Sequence, residues 1–351
     1  MSSNVKTVKS AFTSKLLAWY DCNKRDLPWR RDPDFYKIWV SEVMAQQTRI
    51  TTVIPYYERF MRAYPDMKKL SEASLDDVLA LWAGLGYYRR ARHLHQAAGI
   101  IFHEYDERVP DKKEELLRLP GIGDYTAGAI LSMVYQQPEP AIDGNVLRVV
   151  ARIENLCDPV GSKELREKVR KWILTVLPEE CPGDFNQAIM EMGALVCLPS
   201  KPFCSKCPVH QSCKAKKTGE QDVLPVPKRK KTSREMHKTV FVIKNKNGEI
   251  LMKKRTDSLL EGMWEYFVVD EKIRSVNEAK DYLDAVGIDA ISIKELIKYK
   301  HVFSHQVWHM KGFEALLGRK RSFYDHVWVA KEDLGSMPLP AAYRIYNTND
   351  S

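Results

Sequence analysis

Apolar residues recur at helical spacing through the first two thirds of the chain. The first predicted helix, over about 5 to 23, has one apolar face formed by Val5, Val8, Phe12, Leu16 and Trp19. A second helix is predicted over about 36 to 50. More helices follow, separated by glycine and proline breaks, and no alternating β-branched pattern interrupts them. We therefore predict an all-α first domain over residues 1–213.

The pattern changes near residue 239. The runs TVFVIKN and EILMKKR flank Lys246-Asn247-Gly248, which predicts two strands joined by a turn. A further strand (WEYFVV), a helix (NEAKDYLDAVG) and a long strand-like run follow, so residues 239–351 are predicted to form an α+β domain. Residues 214–238 carry nine Lys or Arg and two prolines, which predicts an interdomain linker, either solvated or following a DNA backbone.

Composition narrows the class of protein. The chain has 351 residues, 44% of them hydrophobic, which is enough for two domains. No run of 18 or more apolar residues exists and the N-terminal stretch lacks a signal-peptide pattern, so we expect no membrane span and a cytoplasmic location. The formal charge of +9 fits a nucleic-acid partner.

Four of the seven cysteines cluster within 17 residues as C-x6-C-x2-C-x5-C. They are Cys197, Cys204, Cys207 and Cys213. In a cytosolic protein such a cluster indicates a metal site rather than disulfides. The residues alone leave two options open, a four-iron cluster or zinc, because zinc also accepts four thiolates.

The stretch from Leu119 to Asn145 contains a glycine turn between two helical patterns. Gly121 and Gly123 permit a tight turn, and Thr126 follows at a predicted helix N-terminus, where free N–H groups favour an anion. This predicts a helix–hairpin–helix that binds phosphate. A tight loop with no ligand is the alternative interpretation.

Two acidic residues are candidates for chemistry. Glu42 lies among Ile38, Val43 and Met44, and a carboxyl group in an apolar wall has a raised pKa. Asp143 follows the hairpin beside turn-forming residues. The alternatives are an exposed Glu42 on the other helix face and an Asp143 that merely caps the next helix.

Aromatic and basic residues accompany these acids. The segment RDLPWR places Trp29 between arginines, and GLGYYRRARHL combines tyrosines with three arginines. Such mixtures suit stacking on bases and binding of phosphates. For Trp29, burial in the core is the alternative. The polar run Gln46-Gln47-Thr48 is predicted either to contact base edges or to be helical surface.

The motifs WVSEVMAQQTRI, LPGIGDYTAGA and AIDGNVLRV, with the four-cysteine loop, closely resemble helix-hairpin-helix DNA glycosylases. Within them the chain resembles the MutY-type adenine DNA glycosylases. The resemblance implies a multi-domain protein. Its all-α glycosylase domain would carry a 4Fe-4S cluster at 197–213, and its α+β Nudix-like C-terminal domain would recognise the lesion. It also implies a bacterial, nucleoid-associated monomer in base excision repair, whose substrate is duplex DNA with adenine opposite 8-oxoguanine.

The resemblance also implies residue roles. Glu42 would protonate the adenine, ionised Asp143 would stabilise the sugar cation, and Tyr125 and Asn145 would support them. Gln47 and Tyr87 would fill the base stack, and Phe303, Ser304 and His305 would read 8-oxoguanine. The residues expected to contact DNA or substrate are Arg25, Leu27, Trp29, Arg30, Gln47, Thr48, Tyr87, Gly121, Gly123, Thr126, Gln187, Phe303, Ser304 and His305.

Two other functions remain possible at this point. A bifunctional endonuclease III-type glycosylase/lyase would need a Schiff-base lysine just after the hairpin glycines, where this chain has Tyr125. We therefore predict a monofunctional glycosylase. A non-catalytic DNA-binding metalloprotein is the third possibility. The helix NEAKDYLDAVG lacks the closely spaced glutamates of a working Nudix box, so we expect no pyrophosphohydrolase activity.

Overall fold

The computed structural model describes residues 2–31, 34–105, 108–228, 233–257, 259–303, 305–319, 323, 325–335 and 337–347, with side chains from Ala11 onward. The chain divides into two compact units. The first comprises Met1–Ala73 and His93–Arg229, and the second comprises Ser74–Arg92 and Lys230–Ser351.

The first unit is built from helices, as predicted. They are α1 (Ser2–Asn23), α2 (Pro28–Arg31), α3 (Phe35–Ala45), α4 (Ile50–Ala63), α5 (Met67–Glu72), α8 (Lys113–Leu116), α9 (Asp124–Met133), α10 (Gly144–Glu154), α11 (Lys163–Leu174), α12 (Pro182–Leu195) and α13 (Lys214–Thr218). Helix α6 (Leu75–Trp82) belongs to the second unit. Helix α7 (Arg89–Glu104) begins in the second unit and continues in the first.

The prediction of one helix over 36 to 50 is wrong in its end point. Helix α3 stops at Ala45, and Gln47 adopts a left-handed backbone with φ of 56° before α4 begins. A helix cannot continue through such a residue. The polar run after Ala45 is therefore a turn and not a helical surface.

The core around the candidate site is formed by α1, α10, α11 and α12. Helix α10 buries Val146, Val149 and Val150 against Phe185 and Ile189 of α12, all with at most 1% exposure. Burying an aliphatic side chain of this size favours folding by about 1.5–3 kcal/mol. The N-terminal end of α10 is therefore held by a well-packed helix.

The second unit contains a seven-stranded mixed sheet in an α+β arrangement, as predicted. Its strands are β1 (Arg234–Lys244), β2 (Ile250–Lys254), β3 (Trp264–Glu265), β4 (Phe267–Val269), β5 (Ala290–Val302), β6 (Gln306–Leu317) and β7 (Val327–Val329). The main order is β3-β2-β1-β6-β5, with β4 paired to β1 and β7 to β2. Strand β1 runs parallel to β6, and the other pairs are antiparallel.

Helices cover part of this sheet. On one face, α14 (Val276–Ala285) packs Leu283 against Phe313 and Phe241. On the other, α15 (Ala341–Arg344) packs Tyr343 with Trp308. Within the predicted linker, Lys214–Thr218 are helical and β1 begins at Arg234. The predicted domain boundaries at 213 and 238 therefore stay a prediction. Among the described helices, none has the length and apolar character that a membrane crossing requires.

Candidate active site

A cleft of about 1050 Å³ in the first unit brings together most of the predicted site residues. The segments before α2, after α3, around the hairpin and at the start of α10 all contribute to its walls. The predicted residues that line it are Arg25, Leu27, Trp29, Arg30, Glu42, Gln47, Thr48, Gly121, Gly123, Tyr125, Thr126, Asp143 and Asn145. Glu42 and Asp143, which are far apart in the sequence, therefore face one concave surface.

Glu42 is positioned by α3, whose neighbouring residues Ser41 and Val43 are buried. The Tyr125 hydroxyl donates a hydrogen bond to Glu42 Oε2. Burial raises the pKa of Glu42 to about 7; the negative charge of Asp143 adds to the rise, and the Tyr125 hydrogen bond opposes it. The pKa of Tyr125 is raised well above its usual value, mainly by burial, so its hydroxyl stays protonated and can donate.

Asp143 is the N-cap residue of α10. Its Oδ1 accepts a hydrogen bond from the Val146 N–H at 2.7 Å, and its Oδ2 accepts one from Asn145 Nδ2 at 2.7 Å. Asp143 therefore caps α10 and also lines the cleft. Burial raises the pKa of Asp143, and the hydrogen bonds from Val146 and Asn145 oppose that rise.

The surroundings of the two carboxyl groups favour different protonation states. Two N–H donors and the N-terminus of α10 favour the charged form of Asp143. Glu42 has the Tyr125 hydroxyl beside it and the charge of Asp143 nearby. Because two close carboxylates resist double ionisation, these surroundings favour the proton on Glu42 and the negative charge on Asp143.

Arg148 connects Asp143 to the cysteine loop through Asn145. Its Nη2 donates to Asn145 Oδ1 and to the Gly193 carbonyl, both at 2.8 Å, and its Nε donates to the Cys197 carbonyl at 2.8 Å. A Cβ on Gly193 would lie 2.6 Å from Asn145 Cβ, so glycine permits this approach of α12 to α10. Arg148 was not among the predicted site residues, although NVLRVVARI sets two arginines in an apolar helix.

Glu191 is a further site residue that the sequence analysis missed. It is 1% exposed and accepts hydrogen bonds from Arg25 Nε at 2.7 Å and from Arg30 Nη2 at 3.1 Å. Burial alone would raise the pKa of Glu191, but the hydrogen bonds from Arg25 and Arg30 outweigh it and lower the pKa to about 2. Both arginines therefore have fixed positions beside the cleft. A glutamate within the apolar run DFNQAIMEMGALVC was the available signal.

Replacing Glu191 with glutamine is expected to lower the free energy of unfolding by about 2 kcal/mol, because two arginines lose their buried counter-charge but still reach solvent. The depressed pKa of Glu191 stabilises the fold above about pH 4.5, and this stabilisation is lost as pH falls towards 2. Denaturant unfolding of both proteins between pH 7 and pH 3 measures the difference. A difference in unfolding free energy between the two proteins that stays constant below pH 4.5 would contradict the ion-pair interpretation.

The hairpin joins α8 to α9. Gly121 has φ of 78°, a conformation that favours glycine, and a Cβ there would lie 2.7 Å from His93 Cβ. Gly123 is the N-cap residue of α9, has no side-chain cap, and a Cβ there would meet nothing within 4 Å. The N-terminus of α9 is thus open to an anion. Thr126 is 2% exposed and its Oγ1 accepts from Gln46 Nε2 at 3.3 Å, so it could reach phosphate only through its backbone.

Trp29 and Leu27 are the buried members of the other predicted DNA-contact residues in the first unit, whereas Gln47 is exposed. Trp29 is 7% exposed and packs edge-to-face on Tyr57, so it belongs to the core while its ring still borders the cleft. Leu27 is 3% exposed. Gln187 lines a separate cavity of about 210 Å³, which Glu42 also borders, and its Oε1 accepts from Arg30 Nε at 3.0 Å.

Three predicted residues belong to the described part of the second unit. Tyr87 is 49% exposed and has a left-handed backbone with φ of 52°. Phe303 packs on Trp308 with ring centroids 4.7 Å apart, in the turn between β5 and β6, and His305 is exposed in the same turn. Ser304 lies outside the described residues.

The four clustered cysteines line one cavity in the first unit. Arg152, which is 1% exposed, donates to Cys197 Sγ at 3.3 Å and to the Leu198 carbonyl at 2.6 Å. Within the described ranges, no three His, Cys, Asp or Glu side chains are arranged to hold a single metal ion. Four thiols around one cavity, with a buried cation beside one of them, fit a cluster of several metal ions and sulfides.

Each of the two units matches a known protein family. Residues 40–174 match the family described as HhH-GPD superfamily base excision DNA repair protein, and residues 239–348 match the NUDIX domain. An adenine DNA glycosylase of Buchnera aphidicola subsp. Schizaphis graminum is 36% identical over 300 residues, which is 85% of this chain and 86% of that protein. The adenine DNA glycosylase of Mus musculus is 35% identical over 353 residues, covering 84% of this chain and 68% of that protein.

Solved structures show the same fold for the helical part. A thermostable thymine-DNA glycosylase superposes with a TM-score of 0.54 at 25% identity, over 62% of this chain and all of that one. A non-covalent endonuclease III–DNA complex gives 0.51 at 21% identity, over 60% of this chain and 95% of that one. With a relative 36% identical across most of both sequences, the chain belongs to the adenine DNA glycosylase family and is a DNA glycosylase of the helix-hairpin-helix type.

Proposed function

We propose that this protein excises adenine opposite 8-oxoguanine, and opposite guanine, in duplex DNA by acid-assisted cleavage of the N-glycosidic bond. The observation that carries the proposal is the pair Glu42 and Asp143. They line one cleft, and their surroundings push the proton onto Glu42 and the charge onto Asp143. Several relatives of the chain are named adenine DNA glycosylases, which supports adenine as the base removed.

The first steps bring the base to the acid. The adenine leaves the base stack and enters the cleft, at a cost of a few kcal/mol that is smaller for a mispair. Adenine leaves poorly as an anion, so protonation of a purine ring nitrogen by Glu42 must accompany bond cleavage. Tyr125 holds the Glu42 carboxyl in place through its hydroxyl.

The sugar that remains is positively charged and resembles an oxocarbenium ion. Asp143, ionised and fixed by Val146 N–H and Asn145, would stabilise that cation or add to it until water completes the hydrolysis. Asn145 is itself fixed by Arg148, so the carboxylate is oriented before the base arrives. Preorganisation of this kind avoids a reorganisation cost during the reaction.

The cleft supports a glycosylase without lyase activity. Among the described residues that line it no lysine is present, and Tyr125 occupies the position just after the hairpin glycines. A phenol cannot form the imine through which a lyase cleaves the strand. Borohydride should therefore trap no covalent adduct at a rate comparable to base release. An adduct that forms as fast as adenine is released would instead favour the bifunctional pyrimidine glycosylase/lyase.

We also propose that Cys197, Cys204, Cys207 and Cys213 hold a 4Fe-4S cluster. When bound, the cluster would crosslink the loop that Arg148 and Arg152 contact, and we assign it no part in the chemical steps. The purified protein should contain about four iron and four sulfide per chain, with visible absorbance. One zinc per chain without sulfide would contradict this assignment.

Recognition of 8-oxoguanine is proposed for the β5–β6 turn, through Phe303, Ser304 and His305. Phe303 and His305 lie in that turn, and His305 is exposed. The double substitution Phe303→Ala with Ser304→Ala should reduce the preference for 8-oxoguanine over guanine opposite adenine. Single-turnover excision on the two duplexes gives the ratio, and an unaltered ratio would remove this role from the turn.

Duplexes that carry adenine opposite 8-oxoguanine, guanine, cytosine or thymine test the function directly. The full chain is incubated with each, and alkali then reveals abasic sites as strand breaks at the adenine. Breaks are expected opposite 8-oxoguanine and guanine, and few opposite thymine. Removal of a pyrimidine, or no base release from any duplex, would overturn the proposal.

A further inference from the structure

The sheet of the second unit has a cationic surface that none of the roles above uses. A cavity of about 440 Å³ opens on one face of β1, β6 and β5 and on the segment before α14. We call it the cationic trough, and the basic side chains that define it are Lys272, Arg274, Lys298, Lys300, His309 and Lys311.

Strand register places the trough residues of β5 and β6 on one face. Lys298 pairs with Lys311 and Lys300 with His309 across β5 and β6. Successive side chains of a strand point to opposite faces, so the intervening Met310, which is 3% exposed, packs into the core on the other side. Farther along β6 the trough face carries Phe313, which is covered by α14. At the trough, the side chains of Lys298, Lys300, Lys272 and Arg274 are exposed.

Acidic residues neutralise only part of this charge. Lys311 pairs with Glu295 at 2.9 Å, and His309 pairs with Glu235. Lys298, Lys300, Lys272 and Arg274 form no ion pair with any described residue.

Elsewhere in the same sheet, lysines do have a counter-charge: Lys244 and Lys294 share Glu314 at 2.6 and 2.9 Å. Like charges gathered without counter-charges repel one another and attract anions. The trough is therefore suited to a ligand that brings several negative charges.

We propose that the cationic trough binds the sugar–phosphate backbone of the DNA duplex, as a contact that is independent of sequence and lesion. The inference rests on the proposed function, which brings a duplex to the β5–β6 turn. At about 3.4 Å per residue, Lys300 and Lys298 lie about 10 and 17 Å along β5 from Phe303. That is within half of a B-DNA turn of about 34 Å, so phosphates flanking the lesion are within reach.

The test replaces two of the three trough lysines that form no ion pair with a described residue. Lys298→Gln with Lys300→Gln removes two positive charges, and Lys246→Gln with Lys280→Gln removes the same number as a control, with Lys280 paired to Asp284 at 3.1 Å. Lys246 lies in the β1–β2 turn and Lys280 on α14, both exposed and outside the trough. Affinity for an undamaged duplex is measured against salt concentration with the full, cluster-loaded chain. The same measurement on the mispair uses the Asp143→Asn background.

Each phosphate contact contributes about 0.9 to the slope of log affinity against log salt. The trough variant should therefore lose about 1.8 of that slope, equally on undamaged and mispaired duplexes, while the control pair keeps the wild-type slope. A trough variant that matches the control overturns the proposal. A loss confined to the mispaired duplex also overturns it, because the trough would then read the lesion.

Single-turnover excision with saturating enzyme keeps this result separate from the proposed function. The trough variant should excise adenine at the wild-type rate once bound. A wild-type protein that binds duplex but releases no adenine refutes excision and leaves the trough measurement valid. An active protein whose trough variant keeps the full salt slope refutes the trough alone.

Discussion

Replacing Asp143 with asparagine should lower the single-turnover rate of adenine excision on the order of 10³-fold or more, while duplex binding is retained. Loss of one preorganised charge at a developing cation removes transition-state stabilisation of that size. Asparagine is nearly isosteric with aspartate and is an equally good helix N-cap, so Val146 N–H keeps a partner. One of the two hydrogen bonds of the residue is lost, which costs about 1 kcal/mol of stability.

Two measurements on the Asp143→Asn protein separate chemistry from structure. The thermal unfolding midpoint and the affinity for the mispaired duplex should stay close to those of the wild type. Excision that remains near the wild-type rate would mean that Asp143 serves α10 as a cap and has no part in the reaction. A large drop in affinity with an unchanged rate at saturation would instead assign Asp143 to binding.

Glu42→Gln should lower the excision rate by about 10³-fold, because general acid catalysis contributes about 10² to 10⁴ and glutamine has no proton to donate. The amide oxygen can still accept from the Tyr125 hydroxyl, so the geometry at the base of the cleft is preserved. The exposed Glu72→Gln, at the end of α5, is a control with the same substitution at a position that does not line the cleft. It should leave the rate unaltered.

The pH profile identifies the acid. The pKa of Glu42 is raised to about 7, so its protonated form is present below that pH and disappears above it. The wild-type rate should therefore fall as pH rises through about 7, and the residual rate of Glu42→Gln should lack that decline. A wild-type rate that is flat from pH 6 to pH 9 would show that no proton on Glu42 is needed.

The sequence was sufficient to find Glu42, because a carboxyl group inside an apolar helix pattern is visible without any knowledge of its partners. The same pattern surrounds Glu191, which was missed. Glu191 has its role because it pairs with Arg25 and Arg30, and Arg25 lies 166 positions away in the chain. Pairings between residues so far apart in the chain leave no pattern in the local sequence. The all-α and α+β domains followed from hydrophobic periodicity, which is a local property.

Other features depend on backbone geometry that residue types do not reveal. The polar run after Ala45 continues a helical pattern, yet Gln47 adopts a left-handed conformation and ends the helix. Strand WEYFVV was expected as one element, but buried Tyr266 separates β3 from β4, which pair with different neighbours. Hydrophobicity shows that such segments are extended, and tertiary pairing decides where each one breaks.

The parallel pairing of β1 with β6 has a consequence for synthesis on the ribosome. Arg234 pairs with Gln306 and Lys244 with Leu316, so β1 emerges well before its longest partner exists. Until then the apolar run Val240 to Ile243 has β2 and β4 as its sheet neighbours. Non-local pairing of this kind slows folding and exposes strand edges. We expect nascent chains that end before residue 306 to bind chaperones or be degraded, and those that extend past 317 to resist protease.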